Sequence, residues 1–296
     1  MKNNFFNFIF FTIFFNFNNK FVPRVTKDKL NYFKQKIKLQ NISINNSNKK
    51  YFAPRTISEL KKVIKKYPEA KLLSVGTDIS LIVTKEKKDL DSINYMNSID
   101  ELNYIKKNNN FIEVWATTPL IYFETFIKKY FPYFAQMLKR YGSIQIRNVC
   151  TIAGNIATAS PIGDTLPLLL SLDSQIIIKD KDKTKILPLN GFFISYRKTK
   201  LKKGQFIHSI RIPLLGKNIF KAYKISKRID DDISSVCASF NVELENNKIK
   251  KIKVAYGGMA NIPQRAVNCE KILLNSFLTD NTINKAKKSQ EKDFKP

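Results

Sequence analysis

Apolar positions along this chain change their spacing in a way that separates helices from strands. Leu60, Val63 and Ile64 share one helical face behind Thr56 and Ser58, either of which can cap, so a helix is expected through Lys66, with Pro68 ending it. Residues 71–75 form a short apolar run that enters the turn Gly76-Thr77-Asp78 and read as a buried strand. Strand patterns recur at 92–95 and 111–116, and helical ones at 120–129 and 131–141. Residues 174–179 and 205–213 read as strands, with a charged hairpin turn at 180–185. After Gly216 come three strand candidates, 220–227, 234–245 and 250–256, which suggest an antiparallel sheet; helices are expected at 270–277 and 282–288. No internal repeat is present.

The beginning of the chain has a different texture. Residues 5–17 are Phe and Ile broken by Asn7, Thr12 and Asn16, too short a run for the roughly 20 residues of a membrane span. Lys2 ahead of an apolar stretch imitates a signal peptide, but no small-x-small cleavage site follows. The run is read as an extension without a folded role. Residues 27–50 are rich in Lys and Asn, as expected of one helix and then a linker.

Composition narrows the class. With 296 residues, 43% hydrophobic and 26% charged, the chain can bury a core and is neither collagen-like nor disordered throughout. Its net charge of +28 comes from 44 Lys and only eight Arg. Readers of bases and phosphates rely on the planar fork of arginine, and no arginine-rich arm or stripe of Lys with stacking aromatics occurs. Lys, Asn, Phe and Ile rise together, as nucleotide bias in coding DNA would make them. The lysines are therefore read as a solvated coat, and no specific nucleic-acid partner is expected. Cys150, Cys237 and Cys269 lack any paired spacing, which argues for a reducing cytoplasm and against a disulfide framework, a zinc site or an iron–sulfur cluster in this chain. His208, the only histidine, leaves no room for a Ser-His-Asp triad and is read as structural.

Two segments stand out chemically. The first is Lys71, Leu72, Leu73, Ser74, Val75, Gly76, Thr77 and Asp78, a strand running into a tight turn. Backbone N–H groups at such a turn make a concave nest for an anion, Gly76 allows the dihedrals, and Thr77 adds a hydroxyl. The second, residues 148–163, has no charged side chain and interleaves Ala153, Gly154, Ala157 and Ala159 with Thr151, Asn155, Thr158 and Ser160. Its spacing suits neither a strand nor an amphipathic helix. It reads equally as a loop-rich wall against a large flat ligand and as a buried connection.

The pattern Arg-Asn-x-x-Thr-Ile-x-Gly-Asn-Ile-Ala-x-x-Ser-Pro-x-x-Asp over residues 147–164 resembles the flavin loop of the xanthine dehydrogenase family. Other motifs follow in that family's order: Phe-Ala-Pro-Arg-Thr at 52–56, Leu-Ser-Val-Gly-Thr-Asp at 73–78, Phe-Phe-Ile-Ser-Tyr-Arg-Lys-Thr at 192–199, Phe-Ile-His-Ser-Ile-Arg-Ile-Pro at 206–213, Tyr-Lys-Ile-Ser-Lys-Arg-Ile-Asp-Asp-Asp-Ile-Ser at 223–234, and Tyr-Gly-Gly-Met-Ala at 256–260. The resemblance is to the FAD-binding small subunit. It implies an α+β chain, with a two-subdomain FAD-binding fold (PCMH/vanillyl-alcohol-oxidase type) followed by a small domain carrying a three-stranded antiparallel sheet and helices. The implied boundaries are 1–48 for a poorly structured leader and linker, 49–215 for the FAD-binding domain, and 216–296 for the C-terminal flavoprotein domain, which looks short at its end.

By position, the resemblance implies that Lys71 to Asp78 and Thr151, Ile152, Ala153, Gly154 and Asn155 wrap FAD, mainly through backbone donors to its pyrophosphate. Tyr141 would supply an aromatic contact. Asp164 would accept hydrogen bonds from FAD hydroxyls, with Ile207 and Lys224 near the flavin ring. In this family a molybdenum centre oxidises hypoxanthine or xanthine, iron–sulfur clusters pass the electrons to FAD, and NAD accepts them. This chain corresponds to the flavin stage alone, so molybdopterin and iron–sulfur clusters are expected on a molybdenum large subunit and an iron–sulfur domain or chain.

Val75, Ser80 and Ala153 stand where the family commonly has glycine. If those positions require positive φ, each Cβ costs about 1 kcal/mol or more and blocks approach to phosphate. Together they would weaken FAD binding by one to two orders of magnitude. A decayed fragment that folds without flavin is therefore one alternative. A flavin subunit of a carbon monoxide dehydrogenase or aromatic-CoA reductase relative is another.

Overall fold

Thr56 starts a helix by a reciprocal cap. Its hydroxyl accepts the Glu59 amide at 3.2 Å, while the Glu59 carboxylate accepts the Thr56 amide at 3.2 Å. In the computed structural model, which describes residues 42–46 and 49–294, this helix is α1, Ile57–Lys66. Leu60 and Ile64 on its inner face pack with Met96, Ile99, Leu102 and Phe206. Beneath it lie β1 (Ile42–Asn46), β2 (Lys49–Ala53), β3 (Lys71–Leu73) and β4 (Ser92–Tyr95), ordered β1-β2-β4-β3, with β2 and β3 both parallel to β4. The turn after β3 launches a short helix, α2 (Ser80–Thr84).

A second sheet is antiparallel throughout. It contains β5 (Ile105–Lys107), β6 (Phe111–Trp115), β7 (Gln175–Lys179), β8 (Thr184–Pro188) and, after a small hairpin of β9 (Phe193–Ser195) and β10 (Lys198–Thr199), β11 (Phe206–Pro213). The order is β5-β6-β11-β7-β8. The charged turn between β7 and β8 is fixed by Asp180, whose Oδ1 accepts from the amides of Asp182 and Lys183 at 3.0 and 2.7 Å. Against this sheet pack α3 (Leu120–Ile127), α4 (Pro132–Lys139), α5 (Ile144–Arg147), α6 (Ile152–Thr158) and α7 (Thr165–Ser171), burying Phe123, Phe131, Phe134, Ile156, Leu168 and Ile210 completely.

The third sheet is built from β12 (Ile219–Ile225), β13 (Val236–Glu245) and β14 (Lys248–Gly257), the three strands expected, plus the two-residue β15 (Gln264–Arg265) at its edge. Helices α8 (Val267–Leu273) and α9 (Asp280–Asp293) cover a smaller core of Ile249, Val254, Cys269 and Leu273.

Two expectations need correction. Residues 152–158 are helical, not loop. Thr151 caps the helix by accepting the Gly154 amide at 3.0 Å, and Ile152 and Ile156, one turn apart, enter the core. The small residues serve close packing. The segment read as linker also carries β1 and the start of β2. The Phe-rich run and residues 27–41 lie outside the described residues.

Candidate cofactor site

β3 ends at Leu73, on the side of the parallel sheet where its strands finish and where open α/β sheets hold ligands. The chain then turns through Gly76, which adopts φ +86°. The backbone N–H groups of Val75, Gly76, Thr77 and Asp78 have no acceptor among the described residues. Ser74 Oγ, just before them, is buried and likewise without a partner there. Four free amides and a hydroxyl at one turn make it rich in hydrogen-bond donors, as an anion-binding turn requires.

Side chains bind this turn to the second motif. Thr77 Oγ1 lies 3.2 Å from Cys150 Sγ, and Thr158 Oγ1 reaches Asp78 Oδ2 at 3.5 Å. Asp78 is clamped by Arg197, whose Nη2 donates to both carboxylate oxygens at 2.6 and 2.5 Å, and the carboxylate in turn raises the guanidinium pKa. Asn155 Nδ2 donates to the Tyr141 hydroxyl at 3.2 Å and its Oδ1 accepts from Thr165 at 2.5 Å. Burial pushes the Tyr141 phenol far above its usual range, and burial also raises the Cys150 thiol, so both are neutral donors here. Segments some 75 residues apart in sequence thus meet around one turn.

Alongside lies a buried ionic group. Lys224 on β12 donates to Asp164 Oδ2 at 2.7 Å and to the Arg140 carbonyl at 3.0 Å. Ser234 donates to Asp164 Oδ1 at 2.5 Å. The Arg140 guanidinium returns hydrogen bonds to the Lys224 carbonyl, Ser226 Oγ and the Ile229 carbonyl. Lys224 is therefore a core lysine and not one more surface cation. Lys71 is exposed on β3, and Leu72 packs toward the α1 cluster. Ile207 is buried on β11 opposite Ile178, outside this polar network.

The residues present fit a phosphate-bearing cofactor better than the glycine replacements suggested. Val75, Ser80 and Ala153 are absent from the positive-φ residues, so their Cβ atoms carry no left-handed strain. Val75 and Ala153 are buried, and Ser80 is the first residue of α2. The left-handed strain expected of them is overturned. Arg197, Ser234, Cys150 and Thr165 join the site without having been singled out; Arg197 and Ser234 lay within or beside quoted motifs, but only tertiary contact gives them a part.

The family described as FAD binding domain in molybdopterin dehydrogenase matches residues 43–215. The chain belongs to this family. Residues 221–296 match the CO dehydrogenase flavoprotein C-terminal domain. The flavoprotein is 31% identical to a xanthine dehydrogenase of Emericella nidulans over 88% of its own length and 20% of that protein's. A Dictyostelium discoideum xanthine dehydrogenase gives 30% over 88% and 22%. The chain thus spans about one-fifth of the xanthine dehydrogenases it matches. The glyceraldehyde dehydrogenase medium chain of Sulfolobus acidocaldarius, 27% identical, is covered over 83% of its length by 79% of this chain. A solved carbon monoxide dehydrogenase from Hydrogenophaga pseudoflava superposes with a TM-score of 0.80 at 20% identity, covering 86% of this chain and 89% of that one. Quinoline 2-oxidoreductase from Pseudomonas putida gives 0.76 at 17%, covering 83% and 86%. The expected α+β flavoprotein fold is the fold these chains share. Among the described residues no helix is long and apolar enough to cross a membrane.

Proposed function

We propose that this FAD-binding flavoprotein is the electron-transfer component of a xanthine dehydrogenase-like molybdenum hydroxylase. It would take electrons from iron–sulfur clusters on a partner domain or chain, fed by a molybdopterin-bearing large subunit that oxidises hypoxanthine or xanthine in purine catabolism, and deliver them to NAD in the cytoplasm. The observation that carries this reading is the free-donor turn at Val75 to Asp78, held against the Thr151-capped helix by Thr77 and Cys150.

FAD supplies hydride and single-electron transfer when bound. The remaining work falls to this chain. Ser74 and the amides of Val75 to Asp78, with Thr151 to Asn155 beside them, hold the pyrophosphate. Arg197 fixes Asp78 so that the turn keeps its shape. Tyr141, whose phenol burial keeps neutral, would lie against the cofactor as an aromatic surface. Asp164 would accept from its hydroxyls, Ile207 would exclude water from the core side, and the ammonium of Lys224 would favour negative charge on the ring. All three cysteines are free and buried, in keeping with a reducing compartment.

The test is an absorbance spectrum of the protein after adding FAD and removing the excess. Bands near roughly 370 and 450 nm are expected, followed by anaerobic bleaching with NADH. A folded but colourless protein overturns the flavin assignment, and retained colour without bleaching removes NAD from it. A second reading, a flavin subunit for an aldehyde- or carbon monoxide-oxidising partner, is favoured by the match to the glyceraldehyde dehydrogenase medium chain, which spans 79% of this chain and 83% of that one. Activity of the reconstituted complex on xanthine against glyceraldehyde decides between them.

A further inference from the structure

Asp164 and Lys224 form the most deeply buried ion pair among the described residues, with side chains 7% and 3% exposed. The pair has a third member. Ser234, itself buried, gives its hydroxyl proton to Asp164 Oδ1, while Lys224 occupies Oδ2. One donor on each oxygen fixes the carboxylate plane. The Asp164 carbonyl also accepts from the Cys237 thiol at 3.4 Å, so the residue is held at both ends.

Lys224 has three ammonium protons. One goes to Asp164 and one to the Arg140 carbonyl; among the described residues the third has no acceptor. How much positive field remains for anything else depends on how strongly Asp164 draws on it. A hydrogen bond from Ser234 stabilises part of the carboxylate's charge, so Lys224 is neutralised less completely. Without that hydroxyl, a buried carboxylate oxygen loses its donor and the carboxylate leans wholly on the ammonium.

Ser234 is also placed firmly. It follows an exposed loop whose Ile229 and Ile233 project into solvent, yet Ser235 N–H donates to the Ile225 carbonyl at 2.8 Å and closes the loop beside β12. Gly258, at φ +85°, makes room for this: a Cβ there would lie 2.3 Å from the Ser235 carbonyl oxygen.

We propose that Ser234 is a positioning residue for the flavin: its hydroxyl holds Asp164 so that Lys224 keeps one N–H and part of its charge for the reduced cofactor. This rests on the reading of the chain as an FAD-binding protein. Removing the hydroxyl is expected to weaken binding of reduced FAD relative to oxidised FAD by about tenfold, which for a two-electron couple lowers the bound-flavin potential by about 30 mV.

The experiment compares the full chain with Ser234→Ala, Lys224→Met and the double variant. Each is titrated with oxidised FAD and then poised against redox dyes, with folding checked by circular dichroism. The expected result is a lowered potential in Ser234→Ala, a dissociation constant for oxidised FAD changed less than about threefold, and no further shift when Ser234→Ala is added to Lys224→Met. Equal weakening of both oxidation states, with the potential unmoved, makes Ser234 merely structural and overturns the proposal. An undiminished shift in the Lys224→Met background overturns it as well, because the hydroxyl then acts by another route. If Ser234→Ala does not fold, Ser234→Cys, close in size and a weaker donor, is expected to shift the potential in the same direction by less, and an unchanged potential overturns the proposal. A wild-type chain that binds no FAD fails at the first titration and overturns the flavin reading itself.

Discussion

Gly258 has no room for a side chain. It combines φ +85° with a neighbouring carbonyl oxygen 2.3 Å from where a Cβ would stand, and its own N–H donates to the Pro161 carbonyl at 2.9 Å. Gly258→Ala therefore adds left-handed strain to a backbone clash, about 3 kcal/mol together, and should lower the melting temperature by about 6–12 °C. A melt unchanged within about 2 °C would show that the crossing of Ser235 over Gly258 is not held. Asn94 presents the opposite case. It is wholly buried on β4, and neither atom of its amide has a partner among the described residues. Asn94→Val should raise stability by about 1 kcal/mol, seen as a melting temperature higher by about 2–4 °C; a fall would mean the amide is engaged. The same scale explains a limit of the sequence. One buried lysine among 44 carries no local mark, so only the motif around it distinguished Lys224. Nothing local shows whether a position takes positive φ, which is why Val75 and Ala153 looked costly.

Elements with a strong periodic signal were legible to within one or two residues. Thr56, one of two capping candidates, marked the start of α1, and the apolar runs marked β4, β6, β11 and β13. Short elements were not legible. β9, β10 and β15 hold two or three residues each, too few for any period; β9 and β10 exist by pairing with each other, and β15 by pairing with the edge of β14. Helix α6 escaped because its seven residues bury small side chains that blur the amphipathic pattern, leaving Thr151 as its one local signature. Thr151 is also the hinge of the candidate site. Thr151→Val keeps the shape but loses the acceptor for the Gly154 amide, and should cost about 1 kcal/mol of stability. If the helix start carries part of the phosphate site, FAD affinity should fall several-fold as well, measured by fluorescence titration. Lost affinity without lost stability would mean that the hydroxyl binds ligand and does not cap.

For the molecule as a whole, acidity should act first through His208. It is the extra residue in a bulge of β11, where Ile207 and Ser209 face consecutive residues Ile178 and Ile177 of β7. Its ring meets the edge of Trp115 and its Nδ1 lies 3.1 Å from Ser209 Oγ. Burial pushes its pKa down to about 4 from 6.5; Lys179, Arg211 and Lys61 add to this, and only Glu113, already bonded to Ser209 and Arg211, opposes it. The folded state thus resists protonation that the unfolded chain accepts. Between about pH 6.5 and 4 the unfolded state binds more protons, so stability falls as pH falls through that window and is fully present above it. Asp180, Asp232 and Glu243, whose pKa values are lowered by hydrogen bonds to backbone amides or to Lys251, add their own losses as acid protonates them. Melting temperature followed from pH 7.5 to 4.5 should therefore decline, and His208→Gln, which carries no charge at either end, should flatten the upper part of that decline. An identical slope in the variant would remove His208 as the cause and assign the acid response to carboxylates alone. The lone histidine then reads as structural in a specific sense: it is neutral packing at the junction of α1 and the second sheet, and charging the ring costs stability there.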